Sequence, residues 1–180
     1  MAPEEIVEPI RTPRLDLVPI SAAFTQALVD GDRDRARVII GAAVGQWLVG
    51  DSAHVVQLAM AQATGKTGAP EGGGRVVVLV ERTGRRRAIG SIGFHGPPDE
   101  RGRLEVGCRI HPAYRGRGYA GEAMTAMFDW AVARLGINRF LVSVSSAEGR
   151  RPRLVTEVEL RPGELPNQRI GSLERVLEDG

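Results

Sequence analysis

The residues best able to do chemistry lie in one run, Ile110-His111-Pro112-Ala113-Tyr114-Arg115-Gly116-Arg117-Gly118-Tyr119-Ala120. His111-Pro112 ends a strand pattern, because proline has no N–H to donate to a ladder. Gly116 and Gly118 let the backbone turn tightly and let a ligand approach the amides with no Cβ in the way. A helix pattern opens directly behind them. The first turn of a helix carries unpaired N–H groups and a partial positive charge, so a phosphate or pyrophosphate is its natural occupant. Arg115 and Arg117 add guanidinium groups that suit phosphate oxygens. Two other readings of the run are a turn that binds nothing and an Arg-Gly tract for RNA. Such tracts repeat and are disordered, whereas this run occurs once, inside a folded pattern.

Other candidates are sparse. The single cysteine, Cys108, alternates in phase with Leu104, Val106 and Ile110 and reads as a buried, inert thiol. His54, His95 and His111 are scattered and give no metal-ligand cluster. His95 follows a strand pattern and reads as a surface or hydrogen-bonded residue, or as one lining an acceptor site; His54 and His111 suggest no role. Trp47 and Trp130 read as core or partly buried helix residues. Gly65-Lys66-Thr67 imitates the end of a phosphate-binding P-loop. Met60 stands where that motif needs glycine, and a helix pattern rather than a strand precedes it.

These residues need a scaffold. Leu15 and Leu17 alternate with Asp16, giving a half-buried strand over Arg14 to Ile20. Ser21 is placed to cap a helix through about Val29, ended by Asp30-Gly31. Arg33 to Val49 and Ala53 to Ala63 also read as helical, and Thr64 to Gly74 as a loop. Arg75 to Glu81, Ala88 to His95 and Leu104 to Ile110, joined by short turns, read as an antiparallel meander. Gly118 to Leu135 is a helix whose apolar face carries Ala120, Met124, Met127, Phe128, Ala131 and Leu135. Gly136 ends it, and Arg139 to Ser146 is a strand. The order predicts an α/β (α+β) fold with a mixed, mostly antiparallel sheet and helices on it.

Bulk properties narrow the function classes. With 180 residues, 42% hydrophobic and 26% charged, the chain suits one globular domain over residues 1–180. A net charge of +2 does not indicate a nucleic-acid binder. The opening Met1-Ala2-Pro3-Glu4-Glu5 is not a secretory signal, and no apolar run approaches a membrane span. With one cysteine, the expectation is a soluble cytoplasmic protein, with no membrane or nucleic-acid partner.

Arg115-Gly116-Arg117-Gly118-Tyr119-Ala120 resembles the GNAT acetyltransferase signature Gln/Arg-x-x-Gly-x-Gly/Ala. Glu105-Val106-Gly107 and Ile110-His111-Pro112 match the strand leading into it. Ile10-Arg11-Thr12-Pro13-Arg14-Leu15-Asp16-Leu17 is similar to the first strand of the ribosomal-protein-alanine N-terminal acetyltransferase branch, and Ile89-Gly90-Ser91-Ile92-Gly93-Phe94 to its third. The resemblance implies a GNAT-type sheet with helices on both faces. It implies acetyl-CoA as cosubstrate, with its pyrophosphate on the amides of Arg115, Gly116, Arg117, Gly118, Ala120 and Gly121. It further implies a pantetheine arm along Cys108 to Ile110, in a slot where that strand and the next splay apart. An acceptor amine, on a protein N-terminus or a small molecule, would attack the thioester directly. The family often carries a glutamate on this strand, here Glu105, which makes Glu105 the candidate general base; an ion pair with Arg103 or Arg109 is its alternative role.

The family pattern breaks after Ser146. Ser145 to Arg151 replaces the family's asparagine-bearing loop, Arg153 to Val158 reads as the next helix, the family's Gly-Phe is missing, and Ile170 to Leu177 reads as a last strand. No tyrosine follows Tyr119, so the tyrosine acid of many members has no counterpart. Segment 147–180 is therefore expected to be atypical, with its usual helix shortened or its packing completed by homodimer contacts. Three functions follow: an active N-acetyltransferase, a GNAT-fold module that binds acetyl-CoA or a protein partner without turnover, and a binder of another phosphate ligand.

Overall fold

The computed structural model describes residues 7–63, 72–144 and 154–160. Its strands are β1 (Ile10–Arg11), β2 (Leu15–Pro19), β3 (Gly74–Val80), β4 (Arg86–Phe94), β5 (Arg103–Ile110), β6 (Arg139–Val144) and β7 (Leu154–Glu159). Its helices are α1 (Ala22–Val29), α2 (Arg33–Ile40), α3 (Gln46–Gly50), α4 (Ala53–Ala63) and α5 (Tyr119–Leu135). The strands form one sheet in the order β1-β2-β3-β4-β5-β6-β7. Neighbours are antiparallel except β5 and β6, which run parallel. A parallel pair needs a crossover, and α5 supplies it.

Each face of the sheet has its own core. Ile92, Phe94, Leu104, Val106 and Ile110 face α5 and pack on Met124, Met127, Phe128 and Ala131. Val76, Val78 and Ala88 face the other way, onto Phe24, Leu28, Ile40, Leu48, Val55 and Leu58 of α1 to α4. The helix-spaced apolar stripe of α5 is thus matched to the period-two stripes of β4 and β5. Phe128 stacks on Phe140 with ring centroids 4.2 Å apart, which fastens α5 to β6.

Local chemistry sets the boundaries. Ser21 accepts from the Phe24 amide and caps α1 as expected. The single helix expected over Arg33 to Val49 is instead two helices. Gly41 ends α2 in a left-handed conformation (φ +64°), and Ala43 then bridges to Arg87 before α3 begins. The first strand is also divided, since Thr12 folds back on Leu15 and separates β1 from β2.

The helix expected over Arg153 to Val158 is strand β7, paired antiparallel with β6 from Arg139↔Glu159 to Val144↔Leu154. The reading from Leu154, Val155 and Val158 chose the wrong period. Val158 and Leu160 are buried while Glu157 and Glu159 are exposed, a spacing of two. The Arg103–Glu157 ion pair at 3.1 Å and the Leu160 N–H to Asn138 carbonyl bond at 2.9 Å hold the strand in place. The loop over Thr64 to Gly74, the asparagine-replacing loop and the strand expected over Ile170 to Leu177 lie largely or wholly outside the described residues; Gly74 itself opens β3.

Candidate functional site

The glycine turn forms where the sequence places it. Beyond Ile110, His111 caps a single 3-10 turn over Pro112–Tyr114. Gly116 (φ +72°) and Gly118 (φ +78°) both adopt the left-handed conformation that side-chain-bearing residues avoid. Gly118 is the N-cap of α5 and brings no capping side chain. The first amide of α5 to bond back into the helix is that of Glu122, which donates to the Gly118 carbonyl at 3.1 Å. The amides of Tyr119, Ala120 and Gly121 precede it and form the positive end of the helix.

Arginines hold this turn rigid. The Arg115 Nε donates to the Ile110 carbonyl at 2.8 Å, tying the turn to the end of β5. Arg14, which follows β1, donates from Nη1 to the Arg117 carbonyl at 2.9 Å and from Nε to Glu122 Oε2 at 2.7 Å. The Arg14 amide and the Thr12 hydroxyl both donate to Glu122 Oε1. The Arg14 guanidinium also lies 4.5 Å over the Tyr119 ring. Arg14 is a third cation at the turn that sequence reading missed; the signal available was the lone acid, Glu122, in the first turn of α5.

Among the described residues, β5 outruns its neighbour β6. Register between β5 and β6 runs from Arg103↔Arg139 to Gly107↔Ser143. β5 continues through Cys108, Arg109 and Ile110, which keep their β4 partners Ile92, Ser91 and Gly90. Among the described residues, three backbone units therefore extend past the last β6 partner and lead straight into the glycine turn. An unpaired strand edge pairs readily with a further extended, amide-bearing chain. The Cys108 side chain packs against the α5 core, and burial pushes its thiol up to about 12, as an inert thiol requires.

The opposite face of β5 is polar. The β4–β5 register, continued by one residue, sets His95 opposite Glu105, and the His95 amide donates to the Glu105 carbonyl at 3.0 Å. Glu105 is exposed. Arg103 pairs with Asp99 at 2.8 Å and with Glu157, and Arg109 pairs with Asp51 at 2.8 Å. His54, buried on α4, meets the Ser91 hydroxyl at 2.6 Å, and its ring centroid is 5.3 Å from that of His95. Burial, with smaller contributions from His95 and Arg109, lowers the His54 pKa to about 3. Burial also lowers the His95 pKa, while the Glu105 charge pulls it upward. Sequence reading left His54 without a role and did not single out Ser91. The usable signal was the run Ser91, Gly93, His95, small or polar residues at every second place of an otherwise apolar strand.

On the β1–β2 side of α5 lies a groove of about 780 Å³, lined by Thr12, Arg14, Gly118, Glu122, Thr125 and Asp129 among others. Among the described residues none of its lining belongs to β5 or β6, and it adjoins the turn at Gly118 and Gly121. Among the described residues no group of histidine, cysteine and acidic side chains is suited to hold a metal ion, and no helix is long and apolar enough to cross a membrane.

Comparison with known proteins bears on this geometry. The acetyltransferase (GNAT) domain family matches residues 14–157. The uncharacterized N-acetyltransferase YjdG of Bacillus subtilis is 37% identical over 51 residues, which is 28% of this chain and 30% of that protein. The uncharacterized N-acetyltransferase YoaA of the same organism is 32% identical over 60 residues, 33% of this chain and 34% of that protein. The match thus spans about a third of each curated relative. A structure from Vibrio cholerae, described as a ribosomal-protein-serine acetyltransferase, shares the fold at 17% identity and a TM-score of 0.50, over 86% of this chain and 97% of that one. The family match takes in the glycine turn, the end of β5 and strands β2 to β6 that carry both, and the chain belongs to the GNAT acetyltransferase family, whose members take their acetyl group from acetyl-CoA.

Proposed function

We propose that the chain moves an acetyl group from acetyl-CoA to a primary amine, on a protein N-terminus or a small molecule, by direct attack of the amine on the thioester. One juxtaposition carries the reading. A helix start with no side-chain cap and two left-handed glycines adjoins a strand end that, among the described residues, runs past its last β6 partner. The first suits a pyrophosphate and the second an extended pantetheine arm. In this reading the amides of the turn from Arg115 to Gly121, with Gly116, Arg117, Gly118 and Ala120 between them, hold the phosphates. The backbone of Cys108 to Ile110 holds the arm and sets the thioester near Gly107. Glu105, on the polar face of the same strand, lies on the path by which the amine loses its proton.

The branch resemblance supports a protein N-terminus as acceptor. A second reading, a module that binds acetyl-CoA without turnover, is favoured by the lack of any tyrosine after Tyr119 to serve as the acid. Incubation with acetyl-CoA and a panel of peptides with free N-termini and small primary amines separates the two. Thiol release that depends on one class of amine supports transfer. Calorimetric binding of acetyl-CoA with no amine-dependent release supports the module.

A further inference from the structure

We propose that His95 is the group that takes the proton from the attacking amine, with Glu105 across the strand pair acting through it as a positioning residue. The inference rests on the acetyl-transfer reading and names the base that the reading requires.

Three observations carry it. First, the His95 imidazole lies over Gly107, where a Cβ would overlap the ring, with Nε2 as the nearest atom. Among the described residues Gly107 is also the last of β5 with a β6 partner, so the imidazole stands beside the edge at which the proposed thioester site lies. Second, Glu105 and His95 are cross-strand neighbours on one face, joined by the 3.0 Å backbone bond. Side chains directly opposite on antiparallel strands interact. Third, the ring is backed by His54, which the Ser91 hydroxyl holds at 2.6 Å. Among the described residues Glu105 from β5 acts on His95 directly, His54 from α4 lies against its ring, and Arg109, which acts on His54, is paired with Asp51 at the end of α3. His54 stays neutral down to about pH 3 and Arg109 has its own counterion, so Glu105 is the charge that acts on His95. Burial keeps the imidazole neutral at neutral pH, the form a base needs.

The step balances. The amine reaches the slot neutral, its first proton left in bulk water. Its lone pair forms the C–N bond at the thioester carbonyl carbon while the C–S bond breaks. The second proton passes from the nitrogen to His95 Nε2, which requires the tautomer with hydrogen on Nδ1. The imidazolium returns that proton to the departing sulfur, leaving amide and free thiol. Glu105 stabilises the imidazolium in between.

The test compares wild type, His95→Ala, His95→Asn and Glu105→Gln by thiol release from acetyl-CoA, using the peptide or small amine that wild type turns over. His95→Ala and His95→Asn are expected to lose ~100-fold or more in kcat, with calorimetric acetyl-CoA affinity unchanged and circular dichroism intact. Added imidazole restores part of the His95→Ala rate, which a merely structural role would not allow. Glu105→Gln is expected to keep more activity than either and to move the acid limb of the pH–rate profile to lower pH, because the charge that raises His95 is gone. The asparagine variant decides the matter if the alanine variant misfolds. Wild-type rates in both His95 variants overturn the proposal, as does a Glu105→Gln variant dead at every pH beside active His95 variants. A wild-type protein that binds acetyl-CoA and acetylates no amine overturns the transfer reading, and this inference with it.

Discussion

At the scale of single residues, Gly118 is the position where backbone and ligand demands meet. Its φ of +78° costs any side-chain-bearing residue roughly 1–2 kcal/mol. A Cβ there would meet the Arg14 Nη2 at 3.4 Å, an ordinary contact, so the backbone conformation rather than crowding disfavours a side chain. Gly118→Glu is expected to remove measurable acetyl-CoA binding, because an anionic side chain enters the space proposed for the pyrophosphate. Isothermal titration of the folded variant checks this, and wild-type affinity would refute it. Arg14→Ala removes the contacts to Arg117 and Glu122 together. It is expected to weaken acetyl-CoA binding by several-fold, through a looser turn rather than a lost ligand contact. Arg115→Ala is expected to act the same way, since its Nε already serves the Ile110 carbonyl. These roles were half legible. The glycines and Arg115 stand out by type and spacing, but Arg14 lies about a hundred residues upstream, and only the fold brings it to the turn.

At the scale of elements, the sheet faces divide the labour. Phe128 is fully buried between α5 and β6, and Phe128→Ala is expected to cost about 3–5 kcal/mol in denaturant unfolding. On the other face, α4 is fastened to β4 through His54 and Ser91. The His54 pKa is about 3 in the folded chain against an ordinary 6.5, so the unfolded chain binds more protons between those values. Its contribution to stability is therefore complete above about pH 6.5 and is lost as pH falls towards 3. Between pH 7 and pH 5 the loss is about 2 kcal/mol. His54→Asn keeps a polar partner for Ser91 but cannot titrate, so its urea midpoint should fall less over that interval. Equal slopes for both proteins would refute the assignment. Most elements were legible because caps and periods agree: Ser21 before α1, the alternation in β5, Gly136 after α5. Two were misread for local reasons. Gly41 interrupts what composition presents as one long helix. In β7 three apolar residues fit a helical face by coincidence, while the exposed acids Glu157 and Glu159 carry the true period of two.

At the scale of the whole molecule, the sheet order places the one parallel strand pair among the described residues, β5 and β6, next to the glycine turn. The family and its fold were readable from the motif in its strand-to-helix setting. The polar face was only partly readable: Glu105 and His95 stood out as candidates, but His54 on α4, the Ser91–His95 run and Glu105 on β5 meet only once the sheet has formed. Acetyl-CoA bound at the turn and the β5 edge is the central claim, and a crystal structure of the chain with acetyl-CoA tests it most directly. The account predicts pyrophosphate on the amides between Gly116 and Gly121, the pantetheine arm alongside Cys108 to Ile110, and the thioester beside Gly107 within reach of His95. Density for the cofactor in the groove along Thr12, Glu122 and Asp129 instead, with the β5 edge empty, would contradict it.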